Sequence, residues 1–176
     1  MSWTEFLKRE AEYQYPITDN LMKMVDDSEL GWKPSSGSNW MTLGQLLVHV
    51  ATACGAAVKG IVTGDWGLPE GVDPSQLPPE EMLPPAEKMP AVGSVAEGRK
   101  MLKDDRRTMM DMLAMCSEDD LANKPCPVPW DPSPVLLGHR CLQMIDHLKA
   151  HKIQLFYYLK LQGKPVNTGH LWGSPE

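Results

Sequence analysis

The sequence predicts an all-α fold built on four long helices. Three observations point there. Four segments carry apolar residues at three-four spacing, the mark of a helix with one face in a core. Helix start and stop signals sit near several of their ends. A Pro-rich stretch of little periodicity separates the second segment from the third. The 176 residues suit a single domain with a real core.

The first helix is predicted over 4–27, with Phe6, Tyr13, Ile17, Leu21, Met24 and Val25 as its stripe. Pro16 lies inside it, so a kink or break is expected there. GWKPSSGSN (31–39) reads as a loop, with Asn39 or Thr42 as the next cap. The second helix is predicted over 41–62. Leu46, His49, Ala53 and Ala56 line one face, with Leu43, Leu47 and Val50 beside them. The small side chains of Ala53, Ala56 and Ala57 allow another helix to approach closely.

Residues 63–93 form the Pro-rich crossover, with a short helical turn expected near 79–82. Long links of this kind often act as covers or partner surfaces. This one can also run the height of a bundle, so helices two and three need not be antiparallel neighbours. Ser94-Val95-Ala96-Glu97 reads as a capping box and starts the third helix, which runs to 115 through Leu102, Met109 and Met112. Asp104-Asp105-Arg106-Arg107 is expected to be a solvated face with local ion pairs. After a loop at 117–134 that carries Trp130, Pro134 suits the first turn of the fourth helix. That helix runs to 161, stops at Gly163 before Pro165, and is roughly 40 Å long at 1.5 Å per residue. The tail, 164–176, is polar and is expected on the surface or against a partner subunit.

Composition removes several function classes. Net charge is -6 with no basic cluster, which argues against nucleic acid. No apolar run approaches the ~20 residues a membrane span needs. MSWTEFLKREAEYQY has no apolar signal core, so a cytoplasmic location is expected. Of the four cysteines, Cys54 and Cys141 fall in apolar patterns as small core residues, while Cys116 and Cys126 flank a loop and are expected reduced.

The chemistry-bearing residues lie in LQMIDHLKAHKIQLFYYLKL (142–161). His147 and His151 are four apart, so both imidazoles leave the same helix face. His151 falls on the apolar stripe and His147 at its edge. An imidazole on a core face costs free energy unless it is bonded or ligated. Two readings fit the pair: core histidines satisfied by carbonyls, water or a carboxylate, or a divalent metal site. His49 adds a third inward imidazole on the second helix. Three nitrogens from two helices leave coordination positions open, as in catalytic rather than closed structural sites. Gln45 lies four before His49, Gln143 four before His147 and Gln154 three after His151, each placed to orient a ligand ring. Asp146 is a weak candidate base. His139 and His170 read as surface residues, and Trp66 with Met109, Met110, Met112 and Met115 as core or interface.

LGQLLVHV around His49, a long link, the VPW segment, and DHLKAHKIQLFYYLKLQGKP around His147 and His151 together resemble the DinB-like (YfiT-type) proteins. The resemblance extends to helix order over nearly the whole chain. It implies a four-helix bundle of up-down-down-up topology, commonly a homodimer. It also implies a divalent metal, zinc or nickel, held by His49, His147 and His151. Relatives of this type include thiol-dependent S-transferases that use low-molecular-weight thiols, and proteins labelled as metal-dependent hydrolases. Two departures stand out: Lys152 follows the last ligand where the family often has His or Arg, and the crossover is long. The resulting expectation is a metal-dependent transferase or hydrolase acting on a small molecule. The alternatives are a non-catalytic stress or interaction protein with a structural or vestigial metal site, and a metal-free bundle whose histidines bond acidic side chains.

Overall fold

The computed structural model describes residues 1–173 apart from 70, 73, 79, 80, 82 and 83, with residue 75 described by its backbone alone. Among the described residues there are seven α-helices and no strand beyond isolated bridges. These are α1 (Trp3–Met22), α2 (Leu43–Thr52), α3 (Gly55–Thr63), α4 (Val95–Met115), α5 (Glu118–Asn123), α6 (Leu137–Leu161) and α7 (Thr168–Trp172). Of the turn expected near 79–82 only Glu81 is described; it is helical, and its amide donates to the Pro78 carbonyl at 2.9 Å.

Helix α1 opens on a capping box: Ser2 Oγ accepts from the Glu5 amide at 3.2 Å, and the Glu5 carboxylate accepts from the Ser2 amide at 3.0 Å. The break expected at Pro16 does not occur. The ring is exposed while Gln14, Tyr15, Ile17 and Thr18 around it are buried, so the ring meets no core neighbour and packing carries the helix through. The helix stops at Met22 rather than 27, and Asp27–Glu29 form a separate 3₁₀ turn.

The second predicted helix is two helices. Thr42 caps α2 as expected, and Asn39 sits at φ 59 with its side chain accepting from the Ala86 amide. The chain then breaks at Ala53–Cys54, bends by 40°, and restarts as α3. Gly55 permits this restart close to α4: a Cβ there would lie 2.0 Å from the Asp105 backbone oxygen.

Ser94 caps α4 through the Glu97 amide, as its capping-box reading requires. The return bond is shifted by one residue, from the Gly93 amide to the Glu97 carboxylate. The solvated-face reading of 104–107 holds for Asp104, paired with Lys100 and Arg107, and for Arg106, paired with Glu12. It fails for Asp105, which is buried. Helix α6 starts at Leu137, later than expected, because 124–136 is a bonded loop folded around Arg140. Its C-terminal stop is as expected, with Gly163 at φ 78.

Helix α1 packs on α4 and α6, and α2 and α3 pack on the same two helices. The shared core includes Leu7, Leu21, Leu46, Leu47, Met109, Leu113, Leu148 and Leu155. The tail expected at the surface or on a partner docks on its own chain through α7. Tyr13 Oη donates to the Trp172 carbonyl at 2.8 Å, and Lys152 Nζ donates to the Leu171 carbonyl at 3.0 Å. Among the described residues no single helix is long and apolar enough to cross a membrane. The bent α2–α3 pair passes by length and composition together, but its Leu43, Leu46, Leu47, Val50 and Val58 are core residues.

Candidate metal centre

Helix α2 ends with His49 facing α6, and α6 presents His147 and His151 one turn apart. The packing of the two helices brings the three rings together. Their centroids are 4.1 Å apart for His49–His151, 4.7 Å for His147–His151 and 5.3 Å for His49–His147. One ring nitrogen from each lies within 4.8 Å of the others. All three side chains are half-buried.

Two of the rings are oriented by acceptors. The Ala53 carbonyl lies 3.0 Å from His147 Nδ1, and Gln154 Oε1 lies 2.9 Å from His151 Nδ1. A carbonyl or an amide oxygen only accepts, so each Nδ1 carries the proton and each Nε2 keeps its lone pair. A second partner of this kind fixes the tautomer and raises ligand basicity. Gln154 is held in turn by the Tyr158 hydroxyl, which donates to the Met41 carbonyl at 3.0 Å and sits edge-on to Trp32 and Trp40.

The other two glutamines are placed elsewhere. Gln45 closes the α2 capping box and donates to the Ala86 and Met89 carbonyls, which ties the crossover to α2. Gln143 accepts from Arg140. Asp146 is exposed and is not among the residues that bond the rings. No acidic side chain bonds the three histidines among the described residues, so the reading in which carboxylates satisfy them is not supported. His139 is exposed and stacks edge-on with Trp3 at 5.2 Å. His170 is half-buried and bonds Asn167 within the tail.

Lys152, next to the last imidazole, does not turn into the cluster. It is 1% exposed, and Nζ donates to Gln14 Oε1 at 2.9 Å as well as to Leu171. Burial lowers its pKa to about 8. All four thiols are free, and burial pushes each one up, Cys141 to about 12, so none is an activated nucleophile. A groove of about 530 Å³ between α1 and α4, lined by Tyr15, Asp19, Arg99, Leu102 and Arg106, includes none of the three histidines.

Three buried charges escaped the sequence reading, although the signal was present; one is Lys152, four after Leu148 and three before Leu155. Asp105 lies three after Leu102 and four before Met109, on the core stripe. Arg140 lies three after Leu137 and four before Met144, on the equivalent stripe of α6.

Burial lowers the pKa of all three imidazoles, that of His49 to about 4 with help from the His151 and His147 charges. At neutral pH the centre is three uncharged nitrogen donors, the form that binds a metal without competition from protons. This donor set fits a first-row divalent ion of the kind that suits imidazole, a class that includes zinc, nickel, copper and iron. In the metal-free protein the unfolded histidines, with pKa near 6.5, take up protons before the folded ones do. The folded state is therefore at full advantage above about pH 6.5 and loses stability as pH falls toward the depressed folded values. Thermal melts of chelator-treated protein are expected to show this fall, with a shallower slope for His49→Asn. Equal slopes would contradict it.

The profile of the DinB superfamily matches residues 10–155. No curated protein matches the chain. Among solved structures, a protein of Exiguobacterium sibiricum 255-15 assigned to the DinB family is similar, with a TM-score of 0.65 at 17% identity. The match covers 97% of this chain and 98% of that one. The family profile spans α2 and α6 as far as Leu155, and so includes all three imidazoles. On the strength of that match the chain belongs to the DinB superfamily.

Proposed function

We propose that this chain binds one divalent ion, zinc or nickel, through His49, His147 and His151, and uses it to transform a small molecule by thiol transfer or hydrolysis. The observation that carries the reading is the convergence of three neutral imidazoles from two helices, two of them already fixed by Ala53 and Gln154. Superfamily membership supports it.

Three uncharged donors leave such an ion its full charge, with which it supplies Lewis acidity and lowers the pKa of a bound water or thiol. The chain's own residues do the rest. Ala53 and Gln154 hold two rings in one tautomer, and Tyr158 holds Gln154. Burial keeps protons off the nitrogens. The up-down-down-up helix order, a homodimer and a cytoplasmic location belong to the same proposal.

The test is protein loaded with zinc or with nickel and assayed with two probes, p-nitrophenyl acetate for hydrolysis and 1-chloro-2,4-dinitrobenzene with cysteine for thiol transfer. Metal-dependent turnover of at least one probe is expected, lost on chelation and restored by the ion. Loading that raises the melting temperature while neither probe turns over would assign the ion a structural role instead.

A further inference from the structure

We propose that Asp105, together with Tyr15, is a positioning residue for the histidine centre: it holds the break between α2 and α3 that turns the Ala53 carbonyl onto His147. The proposal rests on the metal reading above for its functional meaning. Its structural content stands on four hydrogen bonds.

In an unbroken helix through this region, the amides of Gly55 and Ala56 would bond the carbonyls of Ala51 and Thr52, and the Ala53 carbonyl would be taken by the amide of Ala57. The chain does otherwise. Gly55 N–H donates to Asp105 Oδ2 and Ala56 N–H to Asp105 Oδ1, each at 2.8 Å. One carboxylate from α4 thus caps the first two amides of α3. Cys54, at φ −120 and ψ −69, takes up the bend. The Ala53 carbonyl is thereby free to accept from His147 at 3.0 Å.

Asp105 is itself held. It is 6% exposed, and the Tyr15 hydroxyl on α1 donates to Oδ2 at 2.7 Å. A buried carboxylate is costly unless its lone pairs are satisfied, and here three donors from two other elements satisfy them. Without the carboxylate, the amides of 55 and 56 need new acceptors. The nearest solution is to straighten the helix, which returns the Ala53 carbonyl to the helix ladder and takes it from His147. The freed ring then populates both tautomers, and the one protonated at Nε2 offers no lone pair there.

The test compares full-length Asp105→Asn with Asp131→Asn, which weakens the Arg140 loop without bonding the 53–56 break or the histidines and serves as a control for general destabilisation. Two quantities are read: zinc affinity by competition with a chromophoric chelator, and the ¹⁵N imidazole signals of the metal-free protein. For Asp105→Asn, zinc affinity is expected to fall about 10–100-fold, the usual cost of losing an orienting partner. His147 is expected to leave the single Nδ1–H tautomer while His151 keeps it. Asp131→Asn should change neither. A folded Asp105→Asn protein with parental zinc affinity and an unchanged His147 tautomer would overturn the proposal. If Asp105→Asn does not fold, Tyr15→Phe decides: a smaller shift in the same two readings supports it, and a lower melting temperature with both readings unchanged overturns it. The tautomer is read without metal. A parent protein that binds no zinc would therefore sink the metal reading alone, and the Asp105 claim would still be decided by the ¹⁵N signals.

Discussion

Zinc bound by the parent protein is expected to be lost from His151→Ala and retained by His139→Ala. The two residues are of one type, on one helix. They differ in surroundings. His151 faces His49 at 4.1 Å between centroids and is oriented by Gln154, whereas His139 is exposed and touches Trp3. Loss of an orienting partner costs about 10–100-fold in metal affinity, so loss of a ligand itself should exceed about 100-fold. Metal content after gel filtration, with circular dichroism to show that both variants fold, makes the comparison. Equal loss or equal retention would refute the ligand assignment.

The second large effect concerns stability. Arg140→Ala is expected to destabilise the fold by about 3–5 kcal/mol, because three backbone carbonyls lose their donor at about 1–3 kcal/mol each where they are buried. Arg140 is 2% exposed. Its guanidinium donates to the carbonyls of Cys126, Asp131 and Ser133, to the Asp131 carboxylate at 2.9 Å, and to Gln143. Those acceptors shape the loop at 124–136. Truncation leaves the carbonyls without donors and a void under the loop. For a chain of this size each kcal/mol moves the melting point by roughly 2–4 °C, so a drop of about 6–20 °C is expected in calorimetry. Arg140→Lys should lose most of the same stability, since an ammonium cannot match a planar fork of donors. A drop under about 2 °C for Arg140→Ala would show that the network is dispensable.

What was legible in the sequence follows the physics of each element. The 3.6-residue periodicity located the long helices, and it placed His49, His147 and His151 on inward faces without knowledge of the partner helix. Local stops were also readable: Thr42, Ser94 and Gly163 act within their own turns. Features set by a distant partner were not. The apolar pattern of 41–62 is continuous across Cys54, and the bend there depends on Asp105, fifty residues away. Gln45 has the right spacing to serve His49, but the amides and carbonyls it meets are those of Thr42, Ala86 and Met89. Gln154 has a similar spacing and does meet His151. Spacing fixes the face a side chain leaves from; the neighbouring element decides what it meets there. Pro16 shows the converse, a local breaker overridden because its ring faces solvent while its neighbours on either side are packed in the core.

The most direct measurement is X-ray absorption at the zinc or nickel edge of protein loaded with a single equivalent of ion. Expected are three imidazole nitrogens at about 2.0–2.1 Å, recognised by the outer scattering of their rings, with the remaining positions filled by light atoms. Sulfur at about 2.3 Å, or a shell without imidazole scattering, would contradict a centre built from His49, His147 and His151.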